Sequence, residues 1–131
     1  MAIDDNLLLE RAKAVREFAY APYSRFRVGA AVLDERGNVH VGCNVENAAY
    51  PEGSCAEPSA IGAMIAAGGT RIVRLLVVGG TEALAACTPC GGCRQRISEF
   101  ADDNTVIVLL NDDEQLIEYS IEELLPDAFS F

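Results

Sequence analysis

The chain has 131 residues and a formal net charge of −10, and half of its residues are hydrophobic. This length fits one domain, spanning residues 1–131, which buries roughly two thirds of the surface that the unfolded chain exposes. The negative charge would repel the phosphates of DNA, RNA and anionic membranes. We therefore expect no nucleic-acid or membrane partner, and a small uncharged substrate instead.

The first predicted elements are a helix and a β-hairpin. Apolar side chains recur at helical spacing from Asn6 to Tyr20, and Pro22 is expected to end this helix. Two apolar, partly β-branched runs follow, Val28 to Leu33 and Val39 to Asn44, with a polar turn between them at Asp34 to Asn38. These two runs are predicted to form a hairpin.

Two further helices enclose a central strand. Cys55 to Ala67 is rich in alanine, isoleucine and methionine, and the pair Gly68-Gly69 supplies a helix terminator. Ile72 to Val78 is a continuous apolar run, which is typical of a central strand. After a loop through Pro89, a third helix is predicted from Gly92 to Phe100. Both helices therefore begin close to cysteines.

The chain closes with two strands and one helical turn. Thr105 to Leu110 and Leu116 to Tyr119 flank a polar turn and are predicted to form a second hairpin. Ile121 to Leu125 suits one helical turn that Pro126 ends. This order of elements predicts an α/β fold with three α/β/α layers and a mixed sheet of about five strands.

The opening segment and the cysteines indicate a cellular location. Residues 1–6 are acidic and lack the basic start and apolar run of a signal peptide, and no stretch approaches the roughly 20 apolar residues that cross a bilayer. Three of the five cysteines, Cys87, Cys90 and Cys93, form a cluster that suits metal binding better than disulfides. We expect a reducing compartment and a cytoplasmic protein.

The segments Cys55-Ala56-Glu57 and Pro89-Cys90-Gly91-Gly92-Cys93 carry the strongest chemical signal. Helix N-termini lower the pKa of thiols and so prepare them to bind Zn²⁺. Three thiolates leave the fourth tetrahedral position open for a water, on which Glu57 can act. This spacing matches the three-cysteine pattern of zinc deaminases.

A structural zinc site with four cysteines is the alternative interpretation, with Cys87 as the fourth ligand. It would leave Glu57 without a role, and Pro89 makes it hard to bring Cys87 and Cys90 to one metal. An iron–sulfur site is disfavoured because the usual run of four cysteines is incomplete.

The chain resembles the homotetrameric cytidine deaminase family over nearly its whole length, from the segment Ala21-Pro22-Tyr23-Ser24-Arg25-Phe26 to the segment Leu124-Leu125-Pro126-Asp127-Ala128-Phe129. The resemblance implies a cytidine-deaminase-like fold and hydrolytic deamination of cytidine and deoxycytidine in pyrimidine salvage. It also implies one Zn²⁺ per subunit, and a homotetramer whose sites are completed across subunits. In the family, the residues that match Cys55, Cys90 and Cys93 bind the zinc, and the residue that matches Glu57 moves the protons.

The resemblance also implies a set of substrate-binding residues. Asn44 and Glu46 would hold the ribose hydroxyls, and the charge of Glu46 would favour nucleosides over nucleotides. The remaining implied contacts are base stacking by Phe26, a pocket rim at Tyr50, a hydrogen bond donated by the backbone of Ala56 to the pyrimidine O2, and a ring offered to a neighbouring subunit by Phe129. Taken alone, Glu46 would be a turn residue, Ala56 a helix former and each ring a packing residue.

One position departs from the family pattern. The family usually has an arginine directly after the catalytic glutamate, where this chain has Pro58-Ser59. We expect Arg94, which follows Cys93, to offset part of the negative charge of the thiolates.

Two rival functions stay open: a blasticidin S-type deaminase, which shares the cysteine motifs and also lacks the arginine, and a non-catalytic zinc protein. Asn44 and Glu46 favour cytidine over the antibiotic.

Overall fold

The structure is a computed structural model that describes residues 4–131. Its elements, in chain order, are α1 (Asp5–Arg16), β1 (Arg27–Asp34), β2 (Val39–Cys43), a 3₁₀ turn (Tyr50–Glu52), α2 (Ala56–Ala66), β3 (Ile72–Gly80), α3 (Gly91–Glu99), β4 (Val106–Leu110), β5 (Leu116–Tyr119) and α4 (Ile121–Leu124).

The five strands form one mixed sheet in the order β2-β1-β3-β4-β5. β1 is antiparallel to both β2 and β3, β3 is parallel to β4, and β4 is antiparallel to β5. The two predicted hairpins and the central position of β3 are therefore confirmed. A parallel step between β3 and β4 requires a crossover, and α3 lies within that connection.

Helices cover both faces of the sheet, because successive residues of a strand point to opposite faces. On one face, Leu8 and Ala12 of α1 pack with a first set of strand residues: Ala31, Leu33, Leu76, Val78, Val108 and Leu110. On the other face, residues of α2 and α3 pack with the alternate set: Ala30, Val32, Leu75, Val77, Ile107 and Leu109. The predicted three-layer α/β/α architecture is confirmed.

The predicted end of the first helix is wrong. α1 ends at Arg16, four residues before the predicted end at Tyr20, whereas the other elements lie within two residues of their predicted bounds. The backbone of Tyr20 is taken up by pairing with the segment after β2: its N–H donates to Asn44 O at 3.0 Å, and its carbonyl accepts from Glu46 N at 2.8 Å. This tertiary pairing ends the helix before Pro22 can.

Arg16 joins α1 to the end of the sheet. Its side chain is 4% exposed, and its guanidinium donates to the carbonyls of Arg27 at 3.2 Å, Gly80 at 2.8 Å and Thr81 at 3.0 Å. These bonds fix the point where the chain enters the sheet at β1. The helical pattern predicts the apolar face of α1 but gives no sign of this buried arginine.

α2 lies very close to the sheet. A Cβ atom at Gly42 of β2 would stand 2.3 Å from the backbone nitrogen of Ala60, so only glycine allows this approach. The helix ends before Gly68, which is the predicted terminator and has a left-handed backbone with a φ of 95°.

In residues 4–131, no helix combines the length and apolar composition that a membrane crossing demands.

Candidate active site

Three cysteines meet at the N-termini of two neighbouring helices. Cys55 is the N-cap residue of α2, Cys90 is the N-cap of α3, and Cys93 lies in the first turn of α3. The Cys55 and Cys90 sulfurs are 4.0 Å apart, those of Cys90 and Cys93 are 3.3 Å apart, and all three lie within 4.8 Å of one another. Sulfurs bound to one tetrahedral zinc lie about 3.8 Å apart, so the three residues fit the ion.

Cys87 does not belong to this sulfur cluster. A Cβ atom at Gly79 would stand 2.9 Å from the Cys87 sulfur, which therefore rests on the bare backbone of β3. Burial, together with the negative charges of Glu57 and Cys55, raises the pKa of Cys87 to about 11. A thiol that lies outside the cluster does not support the alternative of a four-cysteine site.

Glu57 is a buried acid beside the cluster. It lies in the first turn of α2, its residue is 3% exposed, and it lines the same cavity as the three cysteines. Burial raises the pKa of its carboxyl group. A carboxyl group that binds a proton more readily than an ordinary glutamate suits repeated proton transfer near neutral pH.

The thiols of the cluster have unequal environments. Burial raises the pKa of both Cys55 and Cys93. Burial also acts on Cys90, but the Cys93 N–H, which donates to the Cys90 sulfur at 3.4 Å, helps to bring the pKa of Cys90 below its ordinary value. Because zinc binds thiolates, metal binding must release protons from this cluster.

The cluster and Glu57 lie on the wall of a cavity of about 330 Å³. Other parts of its wall come from the segment after β2 and from the start of α2: Asn44, Val45, Glu46, Tyr50, Gly53, Ser54 and Ala56. A second cavity, of about 380 Å³, adjoins it and shares Glu46, Tyr50 and Gly53. These volumes are those of a small-molecule site.

Asn44 and Glu46, the residues predicted to hold a sugar, are anchored to the segment before β1 and to the start of that strand. The Asn44 side chain accepts from Val28 N at 2.8 Å and donates to Phe26 O at 2.9 Å. Glu46 Oε1 accepts from Tyr23 N at 2.9 Å, and Oε2 accepts from Ser24 Oγ at 2.5 Å. These bonds lower the pKa of Glu46, the Ser24 hydroxyl contributing most.

Sequence reasoning assigned no role to Tyr23 or Ser24, although both line the second cavity and hold Glu46. Both stand in the segment Ala21–Phe26 that carries the family resemblance. This motif is the sequence feature that could have pointed to Tyr23 and Ser24.

The three predicted aromatic contacts have different positions. Tyr50 is 77% exposed at the shared rim of the two cavities, with its ring 6.2 Å from that of Tyr23 in an edge-on arrangement. Phe26 is not among the residues that line either cavity, and its ring rests on Gly79 beside Cys87. Phe129 is 68% exposed in the C-terminal tail and does not face the sulfur cluster of its own chain.

Arg94 makes its hydrogen bonds away from the sulfurs. Its guanidinium donates to the carbonyls of Pro89 and Leu124, both at 2.8 Å, and so ties the loop before Cys90 to α4. Within residues 4–131, none of the hydrogen bonds of its side chain reaches a cysteine sulfur. Compensation of the thiolate charge by Arg94 stays a prediction that these bonds do not support.

Ala56 lies where sequence reasoning expects it. It is the first residue of α2, it is fully buried, and it lines the cavity. The N–H groups in the first turn of a helix have no acceptor within the helix, so the amide of Ala56 is free of helical pairing.

Three thiolates with an open fourth position and a buried acid at their side are the features of a hydrolytic zinc enzyme. The family model of the cytidine and deoxycytidylate deaminase zinc-binding region matches residues 2–109. The chain belongs to this zinc-binding deaminase family, and its cysteine cluster is positioned to hold the metal. A role as a non-catalytic zinc protein is not supported.

Individual relatives agree with this assignment. The chain is 41% identical over 128 residues to the cytidine deaminase of Sporosarcina psychrophila, which covers 98% of this chain and 93% of the relative. The crystal structure of cytidine deaminase from Burkholderia pseudomallei superposes with a TM-score of 0.88 at 43% identity, covering 97% of this chain and 100% of that one. Cytidine deaminase from Mycobacterium tuberculosis superposes with a TM-score of 0.84 at 38% identity, covering 98% and 99% of the two chains.

Proposed function

We propose that the protein hydrolyses cytidine and 2′-deoxycytidine to uridine and 2′-deoxyuridine, with release of ammonia. The observation that carries this proposal is the shared cavity, which has the cysteine cluster and buried Glu57 on one part of its wall and Asn44 and Glu46 on another. The relatives named cytidine deaminase, which match almost the whole chain, support it.

Cys55, Cys90 and Cys93 hold one zinc ion per chain in this proposal. The ion, when bound, supplies a water whose pKa is lowered to about 7. Ala56 offers its amide to the pyrimidine O2, which orients the ring so that C4 faces Glu57. Asn44 and Glu46 bind the sugar hydroxyls, and Tyr50 covers the rim of the cavity.

Glu57 moves two protons in the proposed reaction. As the water oxygen adds to C4, one proton from the water passes through the carboxylate to N3 of the pyrimidine. The C4–N4 bond then breaks, and Glu57 delivers the second proton of the water to the amine, which leaves as ammonia. The raised pKa of the buried carboxyl group lets it hold a proton between these two transfers.

Several finer features belong to the same proposal. We propose one domain, a homotetramer in which Phe129 completes a neighbouring site, base stacking by Phe26 and a role in pyrimidine salvage. The exposure of the Phe129 and Phe131 rings favours a second chain over the tail. Five free cysteines favour a reducing, cytoplasmic setting. The mass of a monomer in light scattering would contradict the tetramer.

The test of the function is the loss of ultraviolet absorbance when zinc-loaded protein meets cytidine. We expect Glu57→Gln to lower kcat by about 10²- to 10⁴-fold, because it removes proton transfer while keeping the shape of the side chain. Zinc content should stay at one per chain. Glu52→Gln, at an exposed glutamate just before α2, is the matched control and should leave kcat unchanged.

The Pro58-Ser59 pair motivates a second substrate in the same assay, since blasticidin S-type deaminases also lack the arginine. Turnover of blasticidin S without turnover of cytidine would replace the proposed substrate. Full activity in Glu57→Gln would remove the proposed mechanism.

A further inference from the structure

We propose that Ser24 is a positioning residue for substrate binding, which acts by holding the Glu46 carboxylate in place for a sugar hydroxyl. The inference rests on the proposed function. It adds to that function a residue that never touches the reacting atoms, yet sets how tightly the nucleoside binds.

The direction of the Ser24 hydroxyl is determined by its two partners. Its oxygen accepts the N–H of Phe26 at 3.0 Å, and Glu46 Oε2 lies 2.5 Å away. A carboxylate can only accept, so the single proton of the hydroxyl is directed at Glu46. Ser24 therefore links the backbone just before β1 to the carboxylate.

The other carboxylate oxygen of Glu46 is held by the backbone. Oε1 accepts from Tyr23 N at 2.9 Å and from Ser24 N at 3.2 Å. These two N–H groups point the same way because Arg25 closes the turn, with a φ of 64° and its own N–H on Ala21 O at 3.0 Å. Left-handed backbone costs free energy at a non-glycine residue, and at Arg25 it orients the two N–H groups that hold Glu46.

This arrangement leaves Glu46 with little acceptor capacity. A carboxylate offers about four acceptor positions, and the two backbone N–H groups and the Ser24 hydroxyl take up three of them. The remaining position is on Oε2, which Ser24 orients. Because Glu46 lines both cavities, that position is available to one sugar hydroxyl of a bound nucleoside.

The backbone of Glu46 does not depend on Ser24. Glu46 N donates to Tyr20 O at 2.8 Å, and the neighbouring Val45 exchanges two hydrogen bonds with Ser54, at 2.9 and 2.8 Å. Removal of the Ser24 hydroxyl should therefore leave Oε2 without its partner, free to turn and hydrate, while Oε1 stays on the backbone and the segment stays folded. The loss should appear in substrate affinity and not in the chemical step.

The test is a kinetic comparison of Ser24→Ala with the wild type, both zinc-loaded. We expect KM for cytidine to rise about tenfold, the cost of one lost hydrogen bond to a charged acceptor, with kcat changed less than about twofold. Ser24→Thr, which keeps the hydroxyl, should restore KM. Ser98→Ala, which removes a hydroxyl bonded at 2.7 Å to Gln95 O within α3, is the control and should leave both constants unchanged.

A double-mutant cycle separates positioning from a general structural effect. In the Glu46→Ala background, Ser24→Ala should raise KM no further, because no side-chain oxygen of residue 46 is left for the hydroxyl to orient. An unchanged KM in Ser24→Ala, or an equal rise in both backgrounds, overturns the inference while cytidine turnover by the wild type upholds the proposed function. A wild type that does not deaminate cytidine overturns both.

Discussion

Cys87 and Cys90 are three residues apart, yet only Cys90 joins Cys55 and Cys93. The difference lies in the backbone: Cys90 caps α3, where its sulfur accepts the Cys93 N–H, whereas Cys87 precedes the helix and rests on Gly79. The Cys87 sulfur therefore stays outside the group of three sulfurs that can reach one ion. Its environment is that of a small apolar residue.

Cys87→Ala should therefore keep the metal. We expect one zinc per chain in this variant by elemental analysis, whereas Cys55→Ala should retain far less after dialysis because one of three thiolates is lost. Equal zinc loss in the two variants would show that Cys87 is a ligand after all.

Glu35 gives a prediction of pH dependence. Its carboxylate accepts from Thr70 N at 3.0 Å and Arg71 N at 3.1 Å, and these bonds, the Thr70 backbone foremost, lower its pKa to about 2 from about 4.5. A lowered pKa in the folded state means stability that is complete above about pH 4.5 and lost as the pH falls towards 2.

Glu35→Gln keeps an acceptor but removes the charge. The wild type should be more stable than this variant at pH 7, and the difference should shrink as the pH falls from 5 to 3, as measured by urea unfolding at equal zinc loading. A difference that stays constant over this range would contradict the role of the ionised carboxylate.

At the scale of elements, the position of α2 determines where Cys55 and Glu57 stand. The helix approaches β2 so closely at Gly42 that it has no freedom to settle nearer to the sheet. The start of α2 is thereby set relative to Asn44, which follows the same strand. Close packing against the sheet, and not the cysteine motif itself, sets the distance between the two parts of the cavity.

Gly42→Ala should destabilise the protein by about 1–3 kcal/mol, because the added methyl group forces α2 away from the sheet. The shift should also weaken zinc retention, since Cys55 moves with the helix. Gly62→Ala is the matched control: it lies on the exposed side of α2, where an added Cβ meets no atom of the described residues, 4–131, within 4 Å. It should stabilise the protein by about 0.5–1 kcal/mol through helix propensity. Denaturant unfolding measures both, and equal effects would contradict the packing argument.

For the whole molecule, the parts that sequence predicts well are those that local pattern determines. Strand and helix bounds, both hairpins and the two cysteine-bearing helix starts follow from short-range periodicity, turn residues and caps. The missed features join distant segments. The Ser24 to Glu46 bond spans 22 positions, and the bond from Arg16 to Gly80 spans 64. Residue types alone do not reveal such pairings, and one of them, at Tyr20, shortened α1.

The two faces of the sheet differ in what a mutation on each can change. Among residues 4–131, none of those packed between α1 and the sheet lines the cavity of the cysteine cluster, whereas Val28, Ala56 and Cys87 belong both to that cavity and to the opposite core. Substitutions beneath α1 therefore reach the site only through the stability of the sheet. Substitutions beneath α2 and α3 must preserve both the packing and the geometry of the site. The α1 face should therefore tolerate more substitutions than the opposite face.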